Sequence, residues 1–502
     1  MSKRKSVLLF LCLTMIGWLS AQSNSEQKKA YLVADFAENQ LVTMLDLCHQ
    51  GGFEYLVQRN PFSSYGHYEW NEDFAKNGEK SVVRMVQTAE KAGVHLGVLV
   101  QSDAISVDDP FFSPQYFKHL KRQGEVELYD AINADVRDIT LRRNDVVKAP
   151  STLNLILIDD ELISYGTMEF AGEMVLLHRC TRGAYGTKNV PHSVDAEVYK
   201  IWDSPERYVE PDDHLRELVR KELTKRLNKV GIDFVLYKGD EGQEVLDESI
   251  RVRQVERWEN DGVKNGSLGW IMLRTADKKR KNTTMEDIEW MLSKAASFDA
   301  GYGLVIDAKT VSDQGMLGEM FETMKRWNQL TKDGAFTESQ KELMKDPYID
   351  WHLTEEDSVF LLYPIDVSRR FQCEFIEEDA GLLTADKWEW TSDDGDRFGL
   401  RIMVEGNTEM RNPMVNTEKG LVLFPCTISP GQTLVYDFKD VAYVMDANYK
   451  TIEEVNIEGM SELPKGSSEV YLLCEADPEA ERPVVTVRYI TREKPEVIYP
   501  KK

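Results

Sequence analysis

Gly231-Ile232-Asp233-Phe234-Val235-Leu236-Tyr237-Lys238-Gly239-Asp240-Glu241-Gly242 is the stretch on which the fold is read. Ile232 to Tyr237 is an apolar run of strand length, and it stops in a turn carrying Lys238, Asp240 and Glu241. A charged, helix-like segment from Asp212 to Val230 leads into it. In a β/α barrel the chemistry sits at the C-terminal ends of the strands, so this turn is the first place to look for a site.

The same alternation extends in both directions. Strands are expected at Tyr31–Phe36, Phe53–Gln58, Val94–Val100, Ile232–Tyr237, Leu268–Leu273 and Gly303–Ile306. Helices are expected at Asn39–His49, Glu79–Ala92, Asp212–Lys229, Asp247–Trp258, Met285–Phe298 and Met316–Leu330. Repeated strand–helix units imply a parallel sheet with helices outside it. The expected fold is α/β: a (β/α)8 TIM-type barrel over residues 22–340, one or two of whose strands escape recognition, with an open doubly wound sheet as the competitor.

Between Pro110 and Pro205 the texture changes. Asn154 to Tyr165 and Met174 to Arg179 read as antiparallel strands, so residues 110–205 are expected to form a small β-module inserted in a βα loop. From about Lys345 short β-type runs separated by turn residues replace the alternation, as expected of an antiparallel β-sandwich over residues 341–502. Trp388 and Trp390 alternate there on one strand face, either as core or as a sugar platform.

Lys3, Arg4 and Lys5 precede an apolar run from Val7 to Leu19 and the small-residue site Ser20-Ala21. This reads as a signal peptide over residues 1–21 and a secreted or periplasmic mature protein. No later segment is apolar enough to span a bilayer. The net charge of −25 argues against nucleic acid or an anionic membrane as a partner. Cys48, Cys180, Cys373, Cys426 and Cys474 are scattered, with at most one or two bridges expected, and buried free thiols the commoner outcome. The histidines lack metal-type spacing, and no phosphate loop, dinucleotide fingerprint or nucleophile elbow is present. No cofactor or metal is expected, although Asp108-Asp109 and Asp393 to Asp396 are acidic enough for Ca²⁺.

The remaining candidates lie at strand ends. After the second strand come Arg59, Tyr65, His67 and Glu69, suited to binding sugar faces and hydroxyls. Asp103 follows the third strand as a binding carboxylate or a cap, and Arg274 and Asp307 follow the later strands. Glycoside hydrolysis commonly uses two carboxylates. Asp240 and Glu241 are adjacent and would diverge, so one of them is expected to pair with a carboxylate from another strand end.

Two resemblances add to this reading. Asp160-Glu161-Leu162-Ile163-Ser164-Tyr165, Arg182-Gly183-Ala184-Tyr185-Gly186-Thr187 and His192 resemble a small β-module of secreted carbohydrate-active proteins and phage tail proteins. Ala89 to Val98 and Gly231 to Lys238 resemble secreted bacterial glycoside hydrolase-type barrels, broadly the α-galactosidase-like group, which often end in a β-sandwich. In that group an Asp at the end of the fourth strand is the nucleophile, whereas this chain has Lys238. The resemblance therefore implies a glycoside hydrolase acting on a polysaccharide or oligosaccharide, with Glu241 or Asp240 in the catalytic role. It leaves open a uronate-directed polysaccharide lyase with Lys238 as base, assisted by His67 or Arg274, and a glycan-binding protein without catalysis.

Overall fold

The computed structural model describes residues 30–239, 250–276, 282–356, 358–366, 370–373, 375–378, 382–392, 397–417, 420–460, 462, 463, 465–475 and 481–500. The expected signal segment, Asp240, Glu241 and the acidic run at 393–396 lie outside the described residues.

Six strands of parallel type alternate with helices. They are β1 (Ala30–Ala34), β2 (Tyr55–Gln58), β3 (His95–Val100), β4 (Phe234–Tyr237), β5 (Ser267–Met272) and β6 (Gly301–Ile306). The helices are α1 (Leu41–Gly51), α2 (Glu79–Lys91), α3 (Asp213–Val230), α4 (Arg251–Asp261), α5 (Met285–Ser297) and α6 (Leu317–Lys332). The protein is a mixed α/β structure with antiparallel sheets. Against the eight strands of a full barrel, six are present among the described residues. The chain forms two compact units. One comprises Met1–Ala34, Asp46–Glu54 and Glu241–Lys502, the other Asp35–Leu45 and Tyr55–Asp240.

In the second unit β2, β3 and β4 pair in parallel, Tyr55 opposite His95 and Phe234 opposite Gly97. Gly97 is required there: a Cβ would sit 2.5 Å from the Phe234 ring. The helix α3 follows from its sequence. Asp212 caps it by accepting from Leu215 N at 2.9 Å, Leu215, Val219, Leu223 and Leu227 recur every four residues on its buried face, and Gly231 ends it at φ 82°.

The β-module lies in the chain between β3 and α3. The stretch from Asn154 to Tyr165 is a hairpin, not one strand: Leu155–Ile158 and Glu161–Ser164 pair around Asp159, which takes φ 51°. These join Arg122–Val126 and Val198–Ile201 in one sheet, while Ile139–Arg142, Met174–His178 and Thr167–Ala171 make another. The signature residues hold the module shut. Fully buried Glu161 accepts from Arg182 Nε and Nη2, both at 2.8 Å, from His192 Nε2 at 2.8 Å, and from Gly183 N and Val190 N. A buried carboxylate needs such partners. The residues therefore have a structural role in the module.

In the first unit β6 lies between β1 and β5, with Ala30 opposite Tyr302 and Met272 opposite Val305. Beyond Glu338–Met344 every regular element among the described residues is antiparallel β. One sheet runs in the order Asp350–Glu356, Val359–Asp366, Val485–Arg492, Gly399–Val404, Thr433–Asp437, Val441–Met445, Thr451–Asn456. The other has Leu382–Ser392, Gly466–Glu475 and Met410–Thr417 at its centre. Side chains of both sheets share one core, including Leu400, Ile402, Tyr436, Val470 and Leu472. Trp388 and Trp390 belong to that core at 7% and 2% exposure, with Trp388 against Tyr489 at 3.6 Å, so they form no sugar platform. Cys48, Cys180 and Cys426 are free and buried, Cys474 is buried, and burial pushes the Cys48 and Cys426 thiols up to about 12. Among the described residues no helix is long and apolar enough to cross a membrane.

Candidate functional site

The strand ends of the second unit gather most of the expected residues. The loop after β2 folds its larger aromatics inward. Tyr68 is fully buried with its hydroxyl donating to Gln101 O at 3.2 Å, and Trp70 packs on Phe62 at 4.8 Å. Burial raises the Tyr68 pKa, and Asp103, Tyr237, Asp109 and Tyr65 raise it further. Tyr68 is thus the point on which residues from three strand ends converge.

Tyr65 stays half-buried at the surface. It stands edge-on to Tyr208 at 5.8 Å, and Tyr208 in turn lies 6.1 Å from Trp202. Beside this aromatic row Lys238, whose backbone N donates to Val100 O, places Nζ on Glu206 at 3.2 Å. Burial lowers the Lys238 pKa, but the hydrogen bond and charge of Glu206, together with Tyr65 and Tyr208, hold it above the ordinary lysine value. Against the expectation of a lysine base stands this pairing, since a carboxylate beside an ammonium favours its charged form. Its partner is Glu206.

Three carboxylates near these strand ends have partners within the unit. Asp103 forms an ion pair with Arg216 of α3 at 3.0 Å, with Arg220 at 3.7 Å, and caps no helix. Glu69 accepts from Arg226 Nη2 at 3.0 Å. Asp109 is not a cation ligand: it is 5% exposed, and both its oxygens accept hydrogen bonds from His67 and Phe111. Arg59 is exposed beside this loop.

Arg274 and Asp307 belong to the first unit. Arg274 N donates to Thr283 Oγ1 at 3.0 Å, and its carbonyl accepts from Thr283 N. Asp307 ends β6 as the cap of Ala308–Asp313, accepting from Thr310 N at 2.7 Å. The same unit holds a cavity of about 700 Å³ between α5, α6 and the sandwich. Its deep charges are already paired: Arg401 bonds Glu286 at 2.8 Å and Asp437 at 2.6 Å, and Glu289 accepts from His352 Nδ1 at 2.7 Å. That lining is a joint between helices and sheet.

Sequence reasoning missed Glu206, Tyr208 and Trp202. They sit in the return from the module, where no motif or period marks them. The link from His67 to Asp109 spans 42 positions and is equally invisible in the sequence.

No family model and no curated protein matches the chain. Solved structures similar to it include an α-amylase from Malbranchea cinnamomea, 9% identical, covering 89% of this chain and 97% of that one at a TM-score of 0.34. An α-amylase from Geobacillus thermoleovorans is 9% identical, with 90% and 99% covered and a TM-score of 0.32. An α-galactosidase from Geobacillus stearothermophilus is 9% identical, with 92% of this chain but 55% of its own covered and a TM-score of 0.28. Likeness this distant carries no argument about activity.

Proposed function

We propose that the chain is a carbohydrate-active protein whose glycan site lies at the strand ends of the second unit, and that it hydrolyses a glycosidic bond in an oligosaccharide or polysaccharide. The observation that carries this reading is the row Tyr65–Tyr208–Trp202 beside the Lys238–Glu206 pair. Half-buried rings offer apolar faces to a pyranose, and adjacent charged groups fix its hydroxyls. Glu241 or Asp240 supplies the catalytic carboxylate in this reading, since both follow β4 directly. Secretion through the N-terminal segment fits a polymeric substrate outside the cell.

The raised pKa of Lys238 favours a second reading, a glycan binder without catalysis, over the lyase. In it the ammonium and Glu206 orient the sugar and no bond is broken. Calorimetric titration with neutral and acidic oligosaccharides tests the shared premise. Tyr65→Ala and Lys238→Ala are each expected to weaken binding about tenfold or more, with the melting temperature kept. Unchanged affinity in both variants contradicts the site.

A further inference from the structure

We infer that the glycan surface continues past Trp202 as a strip that takes a neutral chain of several sugars, with Lys121, Glu210, His119 and Asp212 as its far part; the inference rests on the carbohydrate reading above. The continuation follows from one short antiparallel contact. Leu120 pairs with Pro211, Lys121 N donates to Glu210 O at 2.7 Å, and Asp212 N donates to His119 O at 2.7 Å. Leu120 and Pro211 are buried. Side chains alternate along extended backbone, so the residues flanking them turn the other way, toward solvent. There Lys121 Nζ bonds the Glu210 carboxylate, and Asp212 Oδ2 accepts from His119 Nδ1 at 2.9 Å. The other Asp212 oxygen caps α3, which ties this part of the strip to a helix.

Direct contacts join it to the aromatic row. Lys121 Nζ lies 5.1 Å from the centre of the Trp202 ring, and Trp202 N donates to Lys121 O at 3.0 Å. Tyr208 stands 6.1 Å from Trp202, Tyr65 stands 5.8 Å from Tyr208, and the Lys238–Glu206 pair closes the near end. At the far end the His214 ring lies 4.6 Å from that of His119. All these side chains are half-buried or exposed. Aromatic rings bordered by two separate charged pairs give more than one place for a sugar: the rings meet apolar faces of successive pyranoses, and each pair meets hydroxyls.

The charge pattern selects a neutral chain. Both lysines of the strip are held by glutamates, Lys238 by Glu206 and Lys121 by Glu210. A sugar carboxylate gains an ammonium here only by displacing its glutamate. The side chains of Glu206, 59% exposed, and Asp212, 39% exposed, repel it as well. A hydroxyl donates to the glutamates and accepts from the lysines with both pairs kept, because an ammonium has three donors and a carboxylate about four acceptor positions.

Calorimetric titration of the full-length mature protein tests this. The probes are neutral gluco-, manno- and xylo-oligosaccharides from the disaccharide to the hexasaccharide, and oligogalacturonides of the same lengths. For the neutral series that binds, Kd is expected to fall about tenfold or more from the shortest to the longest chain, and the galacturonides to bind more weakly at every length. Trp202→Ala and Lys121→Ala are each expected to remove most of that gain with length. Lys121→Ala, at an exposed side chain, reads the same gain if Trp202→Ala lowers the melting temperature. An affinity that does not rise with length, or a gain that the folded variants keep, overturns the strip and leaves the glycan site at Tyr65 and Lys238 standing. Galacturonides binding more tightly than the neutral chains overturn the inference in the same way. Binding by no probe of either kind removes the carbohydrate reading, and the strip with it.

Discussion

Asp307 follows an apolar strand and Glu161 opens one, and their environments assign the two carboxylates different work. The Asp307 carboxylate accepts from Thr310 N. Asp307→Asn should therefore retain stability, because Asn caps as well as Asp, whereas Asp307→Ala should lose about 1 kcal/mol by urea unfolding. A loss of glycan affinity in Asp307→Asn would restore its expected role as a ligand. Glu161 is buried, which by itself raises its pKa, yet the Arg182 and His192 hydrogen bonds outweigh burial and hold it down to about 2. Its folded value lies below its ordinary 4.5, so its contribution is present above that pH and is lost as pH falls toward 2. Glu161→Gln leaves Arg182 without its carboxylate and should cost about 3–5 kcal/mol, measurable as a lower melting temperature of the module at pH 7. The identity of Glu161, Arg182 and His192 was legible as a motif; that they form one buried network was not, because residues 161, 182 and 192 meet only in the fold.

At the scale of elements, periodicity was the readable signal. All six apolar runs became strands within a few residues of their expected ends, since runs buried on both faces need no partner information to be recognised. The turn at Asp159, which takes φ 51°, was readable in the charged break Asp159-Asp160-Glu161 between two apolar runs, although Asn154 to Tyr165 is expected above as one strand. Pairing between elements was hidden. Arg251 of α4 reaches Asp287 of α5 at 2.6 Å and Asp350 of the first sandwich strand at 3.7 Å. Burial raises Asp350 to about 6 in spite of Arg251, Arg488 and Lys294 nearby. Its folded value lies above its ordinary 3.8, so its contribution is present below pH 3.8 and is lost as pH rises through about 6. Asp350→Asn carries no such titration. Denaturant unfolding at pH 4, 5, 6 and 7 should therefore show the variant gaining on the wild type with rising pH; a constant difference would contradict the shifted carboxyl.

For the whole molecule, composition narrowed the function by exclusion and strand ends narrowed it by chemistry. An acidic chain of 502 residues with net charge −25 is a poor nucleic-acid binder. The aromatic row and the Lys238–Glu206 pair then supply a surface suited to sugar. Half of that surface, Tyr65 and Lys238, was readable from position after a strand. The other half, Glu206, Tyr208 and Trp202, comes from the end of the inserted module, which depends on tertiary packing alone. Hydrolysis is the central claim, and one measurement bears on it most directly. The mature protein and Glu241→Gln and Asp240→Asn variants are incubated with a panel of neutral and uronic-acid glycans, reading reducing ends and ultraviolet absorbance together. New reducing ends without absorbance, lost in at least one variant, are the predicted result; an unsaturated, absorbing product, or no product from any glycan that binds, would contradict it.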